Sequence, residues 1–122
     1  MRVSRVLLDG EAVRCAVLDG VGFESVDEVG GERVEGVSAA HLAFAEHASV
    51  HLVRIAVGGG FPMHTGPESG FVTVIEGSGT LVLPGGVRVQ YAAPELFLFA
   101  PDTLHSWTDV TADTLMSACL VS

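Results

Sequence analysis

Residues 79–91, GTLVLPGGVRVQY, set two short apolar-rich segments on either side of Pro84-Gly85-Gly86. Proline fixes one backbone angle and glycine tolerates the left-handed region, so the stretch predicts strand, turn, strand. The same arrangement recurs along the chain. VHLVRIAV (50–57), GFVTVIEG (70–77), LFLFA (96–100) and TLMSACLVS (114–122) are short, apolar-rich and separated by turn residues. No stretch keeps a long, clean apolar period of 3.6 residues, and the 15 glycines are spread throughout. Many short strands with turns between them predict an all-β sandwich or barrel.

The N-terminal third is less patterned. Residues 33–38 read as a strand, 39–47 have some helical character and stay open, and 11–20 fit either a strand or one or two helical turns. At 122 residues, with 48% hydrophobic and 17% charged residues, the chain is expected to fold as one domain with one core. It has no linker, internal repeat or low-complexity tract. Phe71, Phe97 and Phe99 are expected to fill the interior.

Charge narrows the function classes. The net charge is -9, and all six basic residues are arginines. A chain without a clustered positive face suits neither nucleic acid nor an anionic membrane surface. The apolar runs fall short of the ~20 residues of a membrane helix, and the N-terminus lacks the sustained apolar region of a secretory signal. A cytoplasmic protein is expected. Cys15 and Cys119 form no zinc motif and read as small strand or core residues. AVGGGF (56–61) is followed by no lysine and opens no helix, so it is not a phosphate loop. No Ser-His-Asp arrangement stands at recognisable spacing.

FPMHTGPESGFVTVIEG (61–77) and PELFLFAPDTLHSWTD (94–109) carry the two most informative histidines, His64 and His105. Residues 50–107 resemble the cupin superfamily, small β-barrels of the jelly-roll type. The first cupin motif reads Gly, five residues, His-x-His, three or four residues, Glu, six residues, Gly. Here the closing glycine is Gly77, the first histidine is His64, and Gly66 and Gly70 take the places of the second histidine and the glutamate. Gly58, followed by Gly59 and Gly60, stands at the opening glycine, with five residues between it and His64, so the motifs span 58–77 and 94–109. In the second motif His105 matches the histidine. Pro94, Ala100, Asp102 and Asp109 stand where the family has Gly, Pro, Gly and Asn.

The resemblance implies an antiparallel cupin barrel that dimerises through its N-terminal strands, which would also cover edge strands in residues 1–35. It also implies a site where three imidazoles and one carboxylate hold one divalent metal: iron, manganese, nickel, copper or zinc. Two of those four ligands remain. Glu68, in the adjacent turn, is the first candidate to complete the set. His51 is the second, sharing a strand face with Val53, Ile55 and Val57; His41 and His47 are weaker. Two histidines and a carboxylate would resemble the facial triad of non-haem iron sites.

Trp107, Tyr91 and Arg54 are candidate pocket residues for an organic ligand, although core packing for the aromatics and an outward face for the arginine are the commoner roles. Three function classes follow. One is a small-molecule-binding barrel with a reduced or absent metal site, whose pocket mouth the two glycines widen. The second is a metal-dependent enzyme of dioxygenase, isomerase or cyclase type. The third is a scaffold or interaction protein.

Overall fold

The computed structural model describes residues 1–18 and 20–122. Among them are twelve strands in chain order: β1 (Ser4–Asp9), β2 (Ala12–Val17), β3 (Glu24–Ser25), β4 (Glu28–Val29), β5 (Glu32–Arg33), β6 (Val37–Phe44), β7 (Ala48–Ile55), β8 (Phe61–His64), β9 (Ser69–Leu83), β10 (Val87–Ala92), β11 (Glu95–Phe99) and β12 (His105–Val121). The only helical element among the described residues is a 3₁₀ turn over Pro84–Gly86, where the sequence predicts a turn. Among the described residues no helix is long and apolar enough to cross a membrane.

The principal sheet runs β10-β9-β12-β7-β6-β3, with β11 also on β9 and β8 also on β12. Every pairing is antiparallel. The 17-residue β12 holds the barrel together, pairing with β7 along one edge and with β8 and β9 along the other. The fold is all-β, as the sequence predicts.

Several boundaries differ from the sequence reading. Residues 39–44 continue β6 as strand, with no helix, because their backbone pairs with β7 from Val37 to Phe44. Residues 34–36 lie between β5 and β6 and do not form the strand expected over 33–38. The segment 11–20 is strand at Ala12–Val17, and Asp19 lies outside the described residues. Residues 61–64, outside the strands expected from the sequence, form β8 and pair with β12. The last strand begins at His105 instead of residue 114.

The two segments expected at 70–77 and 79–83 are one strand, β9, which Gly77 bends without ending. Gly77 has φ +99°, and a Cβ there would lie 2.5 Å from the Asp113 carbonyl oxygen and 2.6 Å from Thr114 Cα. Glycine lets β12 cross β9 at this point, where the β9–β12 register also shifts.

Alternation along the strands separates two apolar layers. The barrel interior is built on Ile55, Val72, Val74, Leu81, Tyr91, Trp107 and Met116. Tyr91 fills it with its ring edge-to-face against Trp107, and its hydroxyl is 2.8 Å from Thr114 Oγ1. On the opposite face of the sheet Ala40, Leu52 and Leu115 are buried beneath Val3, Val21 and Phe23. Phe97 and Phe99 pack against the interior, as expected. Phe71 does not: with Val72 and Val74 pointing inward, its side chain falls on the outer face and is 39% exposed.

Replacing Gly77 by alanine is expected to destabilise the fold by about 1–3 kcal/mol, because the new Cβ meets backbone and the φ is unfavourable for an L side chain. Urea denaturation would read this as a lower midpoint with an unchanged slope.

Candidate functional site

His64 ends β8 and His105 opens β12, and the two are directly paired across the strands. Their ring centroids are 4.3 Å apart. Each ring is anchored in the same way: Nδ1–H of His64 donates to the Pro62 carbonyl oxygen at 2.8 Å, and Nδ1–H of His105 donates to the Thr103 carbonyl oxygen at 3.0 Å. A carbonyl can only accept, so each Nδ1 carries the proton. In the neutral ring Nε2 is then a lone-pair acceptor, and among the described residues it makes no hydrogen bond in either histidine. Phe99 stacks on His105 at 4.2 Å, and Phe61 lies edge-on to His64 at 4.5 Å. Burial lowers both histidine pKa values from 6.5, against the opposing pull of the carbonyl contacts; for His105 the neighbouring His64 lowers it further.

The pair stands in the wall of a cavity of about 360 Å³ within the barrel. Val53, Val72, Met116, Ala118 and Leu120 supply much of its apolar lining, and Trp107 forms part of the wall. The loops that carry the two histidines are tied together: the Asp102 N–H donates to the Gly66 carbonyl oxygen at 2.9 Å. Asp102 and Asp109 both have positive φ, +61° and +46°, so aspartate holds the backbone at two positions where the resembling family has Gly and Asn.

Gly66 and Gly70 differ in their surroundings. A Cβ on Gly66 would lie 2.7 Å from Glu68 Oε2, so the Glu68 carboxylate leans into the space a side chain at 66 would take. A Cβ on Gly70 would instead meet Leu120 and Phe99 at 3.6 and 3.7 Å, an apolar setting. Glu68 lines the cavity, yet among the described residues no group of three or more His, Cys, Asp or Glu side chains is placed to hold a metal ion. The site offers two imidazole nitrogens in place of four converging ligands, and this donor set does not fit the single divalent metal of the four-ligand arrangement.

His51 also lines the cavity, on the face of Val53 and Ile55. Val57, expected on that face, lies past the end of β7 and is exposed. Both His51 nitrogens are engaged. Nδ1 is 2.6 Å from His41 Nδ1, which requires one of the two to carry the hydrogen, and Nε2 is 2.9 Å from Ser49 Oγ. Burial, and secondarily the His41 charge, lower the His51 pKa. His51 therefore has no spare lone pair with which to complete a metal site. His47 is exposed beside Glu46.

Of the expected pocket residues, Trp107 lines the cavity and two do not. Tyr91 is in the core beyond Trp107, because its hydroxyl is held by Thr114. Arg54 points to the other face of β7, with its guanidinium 4.0 Å over the Phe23 ring. Sequence reasoning missed Met116, Ala118 and Leu120. Their period-2 spacing was the available signal, but only the β12 register shows which face it serves.

No family model and no curated protein sequence matches the chain. Solved structures do. The polyketide cyclase RemF from Streptomyces resistomycificus superposes with a TM-score of 0.72 at 20% identity, over 83% of this chain and 73% of that one. The cupin domain of Cnp3 from Schizosaccharomyces pombe gives 0.72 at 10% identity, over 99% and 87%. A cupin 2 conserved barrel domain protein from Rhodopseudomonas palustris gives 0.70 at 20% identity, over 85% and 72%. The chain has the cupin fold. Within that fold His64 and His105 are directly paired between β8 and β12.

The lowered histidine pKa values set a pH dependence. As pH falls, the unfolded chain takes up protons at these positions before the folded barrel does, so their stability contribution is complete above 6.5 and declines below it. Proton NMR should show His64 and His105 titrating below 6.5. The His64→Gln/His105→Gln variant should have a thermal midpoint that falls less than that of the wild type between pH 6.5 and about 5.

Proposed function

We propose that the protein binds a small, largely apolar organic molecule inside its cupin barrel, at a divalent-metal site reduced to two imidazoles. The observation that carries this reading is the cavity itself. Its volume of about 360 Å³ lies within the range of small-molecule sites, and its wall is apolar with a few polar groups gathered at the paired histidines. Glycine at positions 66 and 70 leaves that end of the wall without the two side chains a four-ligand cupin centre needs.

One observation favours the competing reading, a metal-dependent cupin enzyme using His64 and His105: Glu68 reaches over Gly66 beside them. Elemental analysis after loading separately with iron, manganese, nickel, copper and zinc separates the two. The expected result is substoichiometric metal, no higher than in the His64→Ala/His105→Ala control. One equivalent of any metal in the wild type, lost in the control, would establish the enzyme-type centre instead.

We further propose that the protein acts as a homodimer. The β1–β2 hairpin forms its own two-stranded sheet, and such a hairpin is marginal on its own in water. In its register Val6 pairs with Cys15 and Leu8 with Val13, which puts these side chains on one face; Val6, Leu8 and Val13 are 68%, 75% and 72% exposed. Across the outer face of the principal sheet a second apolar row runs through Leu98, Phe71, Cys119 and Val50, each paired with the next. Charge supports association between copies. Residues 1–18 carry three arginines against two acidic residues, whereas the rest of the chain carries three against thirteen. A hairpin of one copy laid over the sheet of another would cover both apolar surfaces and bring opposite charges together. Sedimentation velocity should give a dimer for the wild type and a folded monomer for Val6→Glu/Leu8→Glu. A wild type that stays monomeric at tens of micromolar would refute the dimer.

A further inference from the structure

The hydrogen-bonding polarity of the cavity specifies the chemistry of its occupant more narrowly than its size does. Both Nδ1–H groups are committed to backbone carbonyls, so His64 and His105 present Nε2, an acceptor, as their remaining polar atom. The carboxylate of Glu68, in the same wall, is acceptor-only when ionised. The Thr103 hydroxyl already donates to the Ala100 carbonyl oxygen, and the Thr65 hydroxyl is the one other hydroxyl in the wall, able to donate or accept. No lysine, arginine, asparagine or glutamine lines the cavity. A ligand carboxylate or phosphate would therefore find no cation there and would face three acceptors.

Resting on the small-molecule reading above, we infer that the cavity selects a neutral, apolar-bodied ligand that donates a hydrogen bond, a phenol or enol hydroxyl, to the paired Nε2 atoms of His64 and His105. Two acceptors on adjacent strands, with ring centroids 4.3 Å apart, suit one hydroxyl hydrogen shared between them or two neighbouring hydroxyls received singly. The aromatic faces of Phe99 and Phe61 flank the imidazoles and hold their planes. Trp107 and the aliphatic side chains of β12 then take the body of the ligand. An ether at the same position would leave both Nε2 atoms desolvated and unpaired, and this cost makes the discrimination larger than the loss of one exposed hydrogen bond.

The test uses three probes of one ring system, 2-naphthol, 2-methoxynaphthalene and 2-naphthoate, in equilibrium dialysis at pH 7.5 with the full chain. The expected order is 2-naphthol tightest, with the ether and the carboxylate each about tenfold weaker or more. In His64→Leu/His105→Leu the ratio between naphthol and ether should collapse to about one. That ratio is insensitive to a general loss of binding, which a packing defect alone would cause. Equal affinity of the wild type for naphthol and ether, or tighter binding of naphthoate, would overturn the donor-selection inference while leaving cavity binding in place. Failure of all three to bind would overturn the cavity-binding reading itself.

Discussion

The barrel depends on one strand. β12 pairs with β7 on one side and with β8 and β9 on the other, and through β8 it sets His105 opposite His64. A single residue of slip would turn every side chain on it to the other face, taking Met116, Ala118 and Leu120 out of the cavity. The strand must also bend to serve three partners. It does so at the register shifts between Thr108 and Met116, beside the left-handed Asp109 and against the glycine at 77 that admits its backbone. Site geometry and barrel closure are thus consequences of the same ladder.

Within that frame the chemistry is governed by what the imidazoles lack. In a site with four converging donors, a metal ion would define the local field. Here two rings are fixed by backbone carbonyls, Glu68 leans toward the gap at Gly66, and Gly70 is closed in by Leu120 and Phe99. The polar end of the cavity is left rich in acceptors and poor in donors, in a largely apolar setting. Burial favours the uncharged imidazole and so keeps that polarity at neutral pH. His51, although it lines the same cavity, is occupied with His41 and Ser49 and serves the wall more than the ligand.

The outer surface has a different balance. One sheet face buries Ala40, Leu52 and Leu115 under the N-terminal segment, and the neighbouring row through Phe71 and Leu98 has no such cover. The hairpin that precedes it is apolar on one face and carries two of the six arginines of an otherwise acidic chain. Exposed apolar side chains thus gather on two surfaces, one face of the hairpin and the outer face of the sheet.

The sequence by itself determined the all-β character, most of the turns and the two histidines, because period-2 patterning, Pro-Gly punctuation and motif spacing are local properties. It left open or misread what depends on partners. Residues 39–44 have local helical character but are strand because β7 offers their backbone a ladder, and Phe71 is apolar yet faces outward because Val72 and Val74 take the interior. Arg54 and Tyr91 are pocket candidates by residue type, with an outward face and core packing as their commoner roles; the face of β7 and a hydroxyl contact with Thr114 decide for the latter. Only the tertiary structure decided that His64 and His105 share one end of a cavity as acceptors, that Glu68 occupies the space beside Gly66, and that His51 is already engaged. Each of these is a relation between strands distant in sequence, fixed by register and by which ring nitrogen a backbone carbonyl claims.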